Sequence, residues 1–106
     1  MPQHIDLQVH THRIPAGRPI AMAIIYRAEF VELDLQQDGS GWKASCDLPD
    51  EINSCAVEAV FNGPAFAWVE VYAKIPSRSL LGPIIARSVA EDEDNRTLSA
   101  IGVLDL

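Results

Sequence analysis

His4, His10 and His12 are the only histidines in the chain, and they fall at even positions of one short stretch together with Asp6 and Gln8. Imidazole plus carboxylate is a donor set that suits zinc, iron or nickel. In an extended strand His10 and His12 project to the same side, about 6–7 Å apart, with Asp6 further along the same face. His10, His12 and Asp6 are therefore the candidate metal ligands. A catalytic zinc site needs a further ligand, for which Glu29, Glu32 and Asp34 are available. The same pattern also describes a solvated strand face in which histidine is one polar residue among several, and on that reading no cofactor is expected.

Other chemistry-bearing groups are sparse. Arg13 and Arg18 flank Pro15-Ala16-Gly17 and suggest an anion loop. The carboxylates at 91–94 suggest calcium, but they lack the alternating acidic pattern and glycine of a recognisable calcium loop. A charged hairpin tip fits them better. It could pair between subunits with a basic cluster of His10, His12, Arg13 and Arg18 at the opposite end. There is no Gly-x-Ser-x-Gly elbow and no glycine-rich phosphate loop. Cys46 and Cys55 read as reduced thiols, and two cysteines without a second pair do not make a zinc site.

Composition narrows the function classes. The net charge is −7, and the eight Lys and Arg residues are scattered. Without a basic stripe to neutralise phosphates, no direct nucleic-acid binding is expected, and anionic lipid is repelled for the same reason. An acidic body can attract a basic protein instead. The N-terminal residues lack a signal-peptide pattern. The apolar run 20–26 is far short of the ~20 residues a membrane helix requires. A cytoplasmic or virion location is the expectation.

These residues must be positioned by strands. Ile5, Leu7, Val9 and Thr11 alternate with the polar set, so 5–12 is one strand with a dry face and a wet face. Turn formers at 15–17, 38–41, 49–50, 62–64, 76–77 and 91–95 delimit further strands at 20–36, 42–48, 65–75, 83–90 and 97–104. The 20–36 run is too long for one flat strand and should bend near 27–29. Ile52, Cys55, Ala56, Ala59 and Val60 recur at helical spacing ahead of Asn62-Gly63-Pro64, so a short helix is expected near 50–61. With no βαβ alternation, the fold class is all-β. The expected architecture is a small antiparallel β-sandwich or barrel of about six to seven strands in a single domain over 1–106.

Two segments are apolar on both faces. In 65–75, Ala67, Val69, Val71 and Ala73 make an aliphatic side, and Phe66, Trp68 and Tyr72 an aromatic one. In 20–30, Met22, Ile24 and Tyr26 share one side, while Ala21, Ala23 and Ile25 share the other. A strand apolar on both faces needs cover on both, and aromatic residues are enriched at interface cores. Phe66, Trp68, Tyr72, Met22, Ile24 and Tyr26 are therefore the candidate interface residues. The leading expectation is a non-enzymatic structural or interaction protein. It would assemble with itself or a protein partner, as small β-rich capsid-decorating and tail proteins do. The alternatives are an acidic inhibitor or immunity-type protein docking on a basic enzyme groove, and a small metal-dependent β-barrel enzyme using His10 and His12.

Overall fold

Alternation decides the first strand and, through it, the architecture. In a computed structural model of the chain, which describes residues 3–106, β1 runs Gln3–His12. Ile5, Leu7 and Val9 are buried and His4, Asp6, Gln8, His10 and His12 are exposed. Eight further strands follow: β2 (Ala21–Tyr26), β3 (Glu29–Glu32), β4 (Gln36–Asp38), β5 (Gly41–Leu48), β6 (Ser54–Phe61), β7 (Trp68–Lys74), β8 (Ile85–Ser88) and β9 (Leu98–Asp105). They form two antiparallel sheets, one ordered β4-β5-β1-β7-β8 and the other β3-β2-β6-β9.

The inner faces of the two sheets make one aliphatic core. Ile5, Leu7, Val9, Val69 and Val71 meet Met22, Ile24, Val57, Phe61 and Leu104 across the sandwich. Among the described residues no polar or charged residue is buried, so the core carries no desolvated hydrogen-bonding side chain. Both cysteines are free. Burial pushes the Cys55 thiol up to about 11, with Cys46 adding to the effect.

Among the described residues nine strands stand where about six to seven were expected: the 20–36 run holds two, the 50–61 segment holds another, and the short β4 adds one at 36–38. The 20–36 run does not bend; it reverses. Arg27 and Ala28 have φ of 47° and 62° and form a two-residue hairpin turn between β2 and β3. Positive φ at both central positions is the type I′ pattern, normally built from Asn and Gly. Neither residue announces it, which is why the sequence reads as continuous strand. By contrast the β4–β5 hairpin uses Gly39 at φ 61°, the position where a II′ turn needs glycine.

The helix expected near 50–61 is strand β6. Cys55, Val57, Ala59 and Phe61 face the core, while Ser54, Ala56, Glu58 and Val60 face out. β6 is paired on both sides, to β2 and to β9, and those two ladders override the weak helical spacing.

The sandwich closes where β8 passes under β9 at Gly102. A Cβ there would run into the Ile84 carbonyl and would lie 2.9 Å from Ile85 Cγ1. Backbone cannot yield as a flexible side chain can, so Gly102→Ala is expected to lower stability by about 1–3 kcal/mol. Ala28→Gly should act the other way. Left-handed backbone costs a non-glycine residue about 1–2 kcal/mol, and glycine returns about 0.5–1 kcal/mol of that in chain entropy. A net gain of about 0.5–1 kcal/mol is expected, and the midpoints of chemical denaturation check both substitutions.

Candidate functional site

The outer face of the five-stranded sheet gathers most of the residues marked by sequence. Register places His12 opposite Trp68, His10 opposite Glu70, Gln8 opposite Tyr72 and Asp6 opposite Lys74. The histidines and the aromatics of β7 are therefore cross-strand neighbours, the arrangement through which side chains on one sheet face interact. The His12 and Trp68 rings stack with centroids 4.3 Å apart and planes 21° apart. His10 meets Tyr72 edge-on at 5.8 Å. The Tyr72 hydroxyl donates to Glu70 Oε2 at 2.7 Å, and that bond holds its pKa above the usual tyrosine value. Gly41 makes room for His10: a Cβ at Gly41 would be 3.3 Å from the His10 ring.

Phe66 extends this strip beyond β7 by a different device. Its backbone is left-handed, with φ 70°, a genuine outlier for a bulky residue. Flanking bonds over-determine it. The Asp94 carboxylate accepts from the Ala65 amide at 2.8 Å, the Phe66 amide donates to the Val89 carbonyl at 2.8 Å, and Ala67 is fully buried. The ring is left 60% exposed, and Trp68 beside it is 37% exposed. The strip Phe66, Trp68/His12, Tyr72/His10 is not enclosed by its own subunit.

Past Tyr72 the strip runs into an open cleft of about 800 Å³. Asp6, Gln8, Lys43 and Lys74 line its floor, and the 31–38 segment, with Glu32, Asp34 and Asp38, lines its wall. Carboxylates and ammonium groups share it, so it does not present one sign of charge.

The metal set is not assembled. Asp6 is taken by His4, whose Nε2 lies 2.9 Å from Asp6 Oδ1 and whose Nδ1 lies 2.8 Å from Asp47 Oδ1. Glu29 and Glu32 stand on β3, in the opposite sheet; Glu32 and Asp34 line the cleft, whose lining includes Asp6 but neither His10 nor His12. Among the described residues no three His, Cys, Asp or Glu side chains converge as a metal site.

The other candidates have structural partners. Arg18 lies over the Trp42 ring, 5.2 Å from its centroid. Within the 91–94 run Glu93 binds Arg87 at 2.6 Å and caps the Ala90 amide at 3.0 Å, while Asp94 anchors Ala65. The acidic run also sits at the same end of the sandwich as Arg13. The Asn95 amide donates to the Gly63 carbonyl, and Gly63 packs against the Arg13 backbone. The acidic run and Arg13 therefore do not stand at opposite ends of the sandwich.

Met22 and Ile24 are corrected from interface to core. They are 1% and 0% exposed and pack between the sheets, and Tyr26 packs against the same core while half-buried. The outward side of β2 is the other one, Ala21, Ala23 and Ile25. It continues through Phe30, Ala56, Val60, Ile101 and Val103 as an apolar outer face of the four-stranded sheet, interrupted by Glu32, Glu58 and Ser99. Sequence reasoning passed over this face. Side-chain volume was the available signal, since the larger Met22 and Ile24 fill the space between the sheets, while the outward Ala21 is half-buried and Ala23 is covered at 2% exposure. Among the described residues no helix is long and apolar enough to cross a membrane. Comparison with protein-family models, curated proteins and solved structures finds no match.

The His4 contacts set a pH response. Hydrogen bonding to Asp47, then the charge of Asp6, hold the His4 pKa above its ordinary value. A raised imidazole pKa means the folded state favours the proton. That contribution to stability is complete below the unfolded value of about 6.5 and is lost as pH rises through the folded value. An NMR titration of the His4 ring should show a midpoint above the ordinary one, and Asp47→Asn should bring it down.

Proposed function

We propose that this protein is a non-enzymatic assembly module that docks on a protein partner through the aromatic strip of its five-stranded sheet. The observation that carries this reading is Phe66, a large apolar ring held open to water on left-handed backbone. Strain of this kind costs about 1–3 kcal/mol and persists where the surroundings enforce it, as at ligand clamps. Trp68 and Tyr72 extend the apolar area, and Glu70 and the two imidazoles supply a polar border. An aromatic centre with a polar rim is the usual anatomy of a docking patch. The histidines take part as ring neighbours of Trp68 and Tyr72, which supports docking over metal chemistry. A particle-building role of the capsid-decorating or tail kind is compatible with this architecture, and that step is analogy at the level of the fold.

The test separates docking from folding. Phe66→Gly removes the ring and relieves the left-handed strain, so stability should stay within about 1 kcal/mol of the parent. A photo-crosslinking phenylalanine analogue in place of Phe66, introduced in cells that make the protein, should give one discrete protein adduct. Trp68→Ala should reduce that adduct at least about tenfold, the loss expected for a hot-spot aromatic. No adduct above that from an exposed control position, or an adduct indifferent to Trp68→Ala, would overturn the reading.

A further inference from the structure

A sandwich of two open sheets has four edge strands, and three of them are guarded. β3 is four residues long and carries Glu29 and Glu32; β4 is three residues long and ends in Asp38; β8 is four residues long and carries Arg87. Short length and charge are the usual means of stopping strand addition. β9 is different. It is eight residues long and has no charge, proline or bulge between Leu98 and Leu104.

The direction of its free backbone groups follows from the ladder. The Leu106 amide donates to the Asn53 carbonyl across the β6–β9 register. In an antiparallel pair alternate residues bond to the neighbour. Leu98, Ala100, Gly102 and Leu104 therefore bond to β6, and Ser99, Ile101, Val103 and Asp105 point outward. Arg78 donates to the Asp105 carbonyl at 2.8 Å and closes that end. Among the described residues nothing bonds the outward backbone groups of Ser99, Ile101 and Val103. The side chains of Ile101 and Val103 are 61% and 69% exposed on the same strand.

We propose that β9 pairs antiparallel with β9 of a second copy of this chain, about a two-fold axis at Ile101, joining two four-stranded sheets into one of eight strands. A two-fold contact requires a self-complementary edge, and the free run is symmetric about Ile101. Ile101 then faces its own copy and Val103 faces Ser99. Charge complements at both ends, since the Asp105 end of each strand meets the Arg96-Thr97 end of the other. A strand edge buries less than the ~800 Å² per partner of a standard interface, so this dimer dissociates on dilution. It does not depend on the aromatic strip, which lies on the other sheet.

Sedimentation velocity across a wide concentration range, paired with amide hydrogen exchange, tests the proposal. The full chain should pass from monomer to dimer, and the Ser99, Ile101 and Val103 amides should slow by at least about tenfold in the dimer. Val103→Pro removes one outward N–H that the subunit does not use, and Ile101→Lys sets like charges face to face across the axis. Both should remain monomeric, and Trp68→Ala should still dimerise. A chain that stays monomeric at the highest concentration overturns the proposal. A dimer in which those three amides exchange freely, or that survives Ile101→Lys, overturns it equally.

Discussion

Two sheets have four faces, and packing one against the other covers only two of them. That constraint governs the rest of this molecule. The inner faces spend Ile5, Leu7, Val9, Met22, Ile24, Val57, Phe61, Val69, Val71 and Leu104 on a core with no buried polar group among the described residues. Among the described residues no helix layer lies over either outer face; the short 3-10 turns at 15–17 and 91–93 sit between strands. Large outward side chains such as Trp68, Ile101 and Val103 are therefore left exposed.

The two outer faces solve this differently. On the five-stranded sheet, polar and aromatic side chains alternate, and rings are partly satisfied by one another: His12 by Trp68, His10 by Tyr72, Tyr72 by Glu70. Such pairs contribute beyond the area they bury, but each ring still leaves an open side. On the four-stranded sheet the exposed groups are mainly aliphatic, with Phe30 an exposed aromatic ring on β3 and Glu58 accepting from Ser99 at 2.9 Å as an internal polar pair. Exposed aliphatic residues are ordinary on protein surfaces; a bulky aromatic ring held open on left-handed backbone, as at Phe66, is not.

What the sequence disclosed follows from how strongly each segment is over-determined. β1 was legible because five polar residues alternate with aliphatic ones and a single face is buried, so no other register is allowed. The aromatic strip was legible for the same reason, through the alternation of 65–75. The candidate site was only partly legible, because neighbours across strands are set by register, and register is not written in either strand alone. Nothing in Asp6 signals that His4 engages it, and nothing in 91–94 signals that Asp94 would hold Ala65 in place beside Phe66. β6 was missed because alanine and cysteine fit helix and strand alike, and only its two neighbours decide the matter. The β2–β3 hairpin was missed because Arg27 and Ala28 adopt backbone that their side chains disfavour.

That last failure has physical content. Left-handed backbone occurs here at Arg13, Ala16, Arg27, Ala28, Phe66 and Asn95, outside glycine. At Arg27 the neighbouring Glu51, 3.3 Å away, offers a surface ion pair that contributes little against the strain. The turn is imposed instead by the ladders on either side, where Tyr26 pairs with Glu29 and Ile25 with Phe30. Phe66 is imposed from both sides as well, by Asp94 through Ala65 and by Val89 directly. In both places the sheet is stiff enough to hold a residue where its own preference would not put it. At Arg27 the result is a reversal of the chain, and at Phe66 it is a ring turned to the outside, so the rigidity of the sandwich is what makes its aromatic face available.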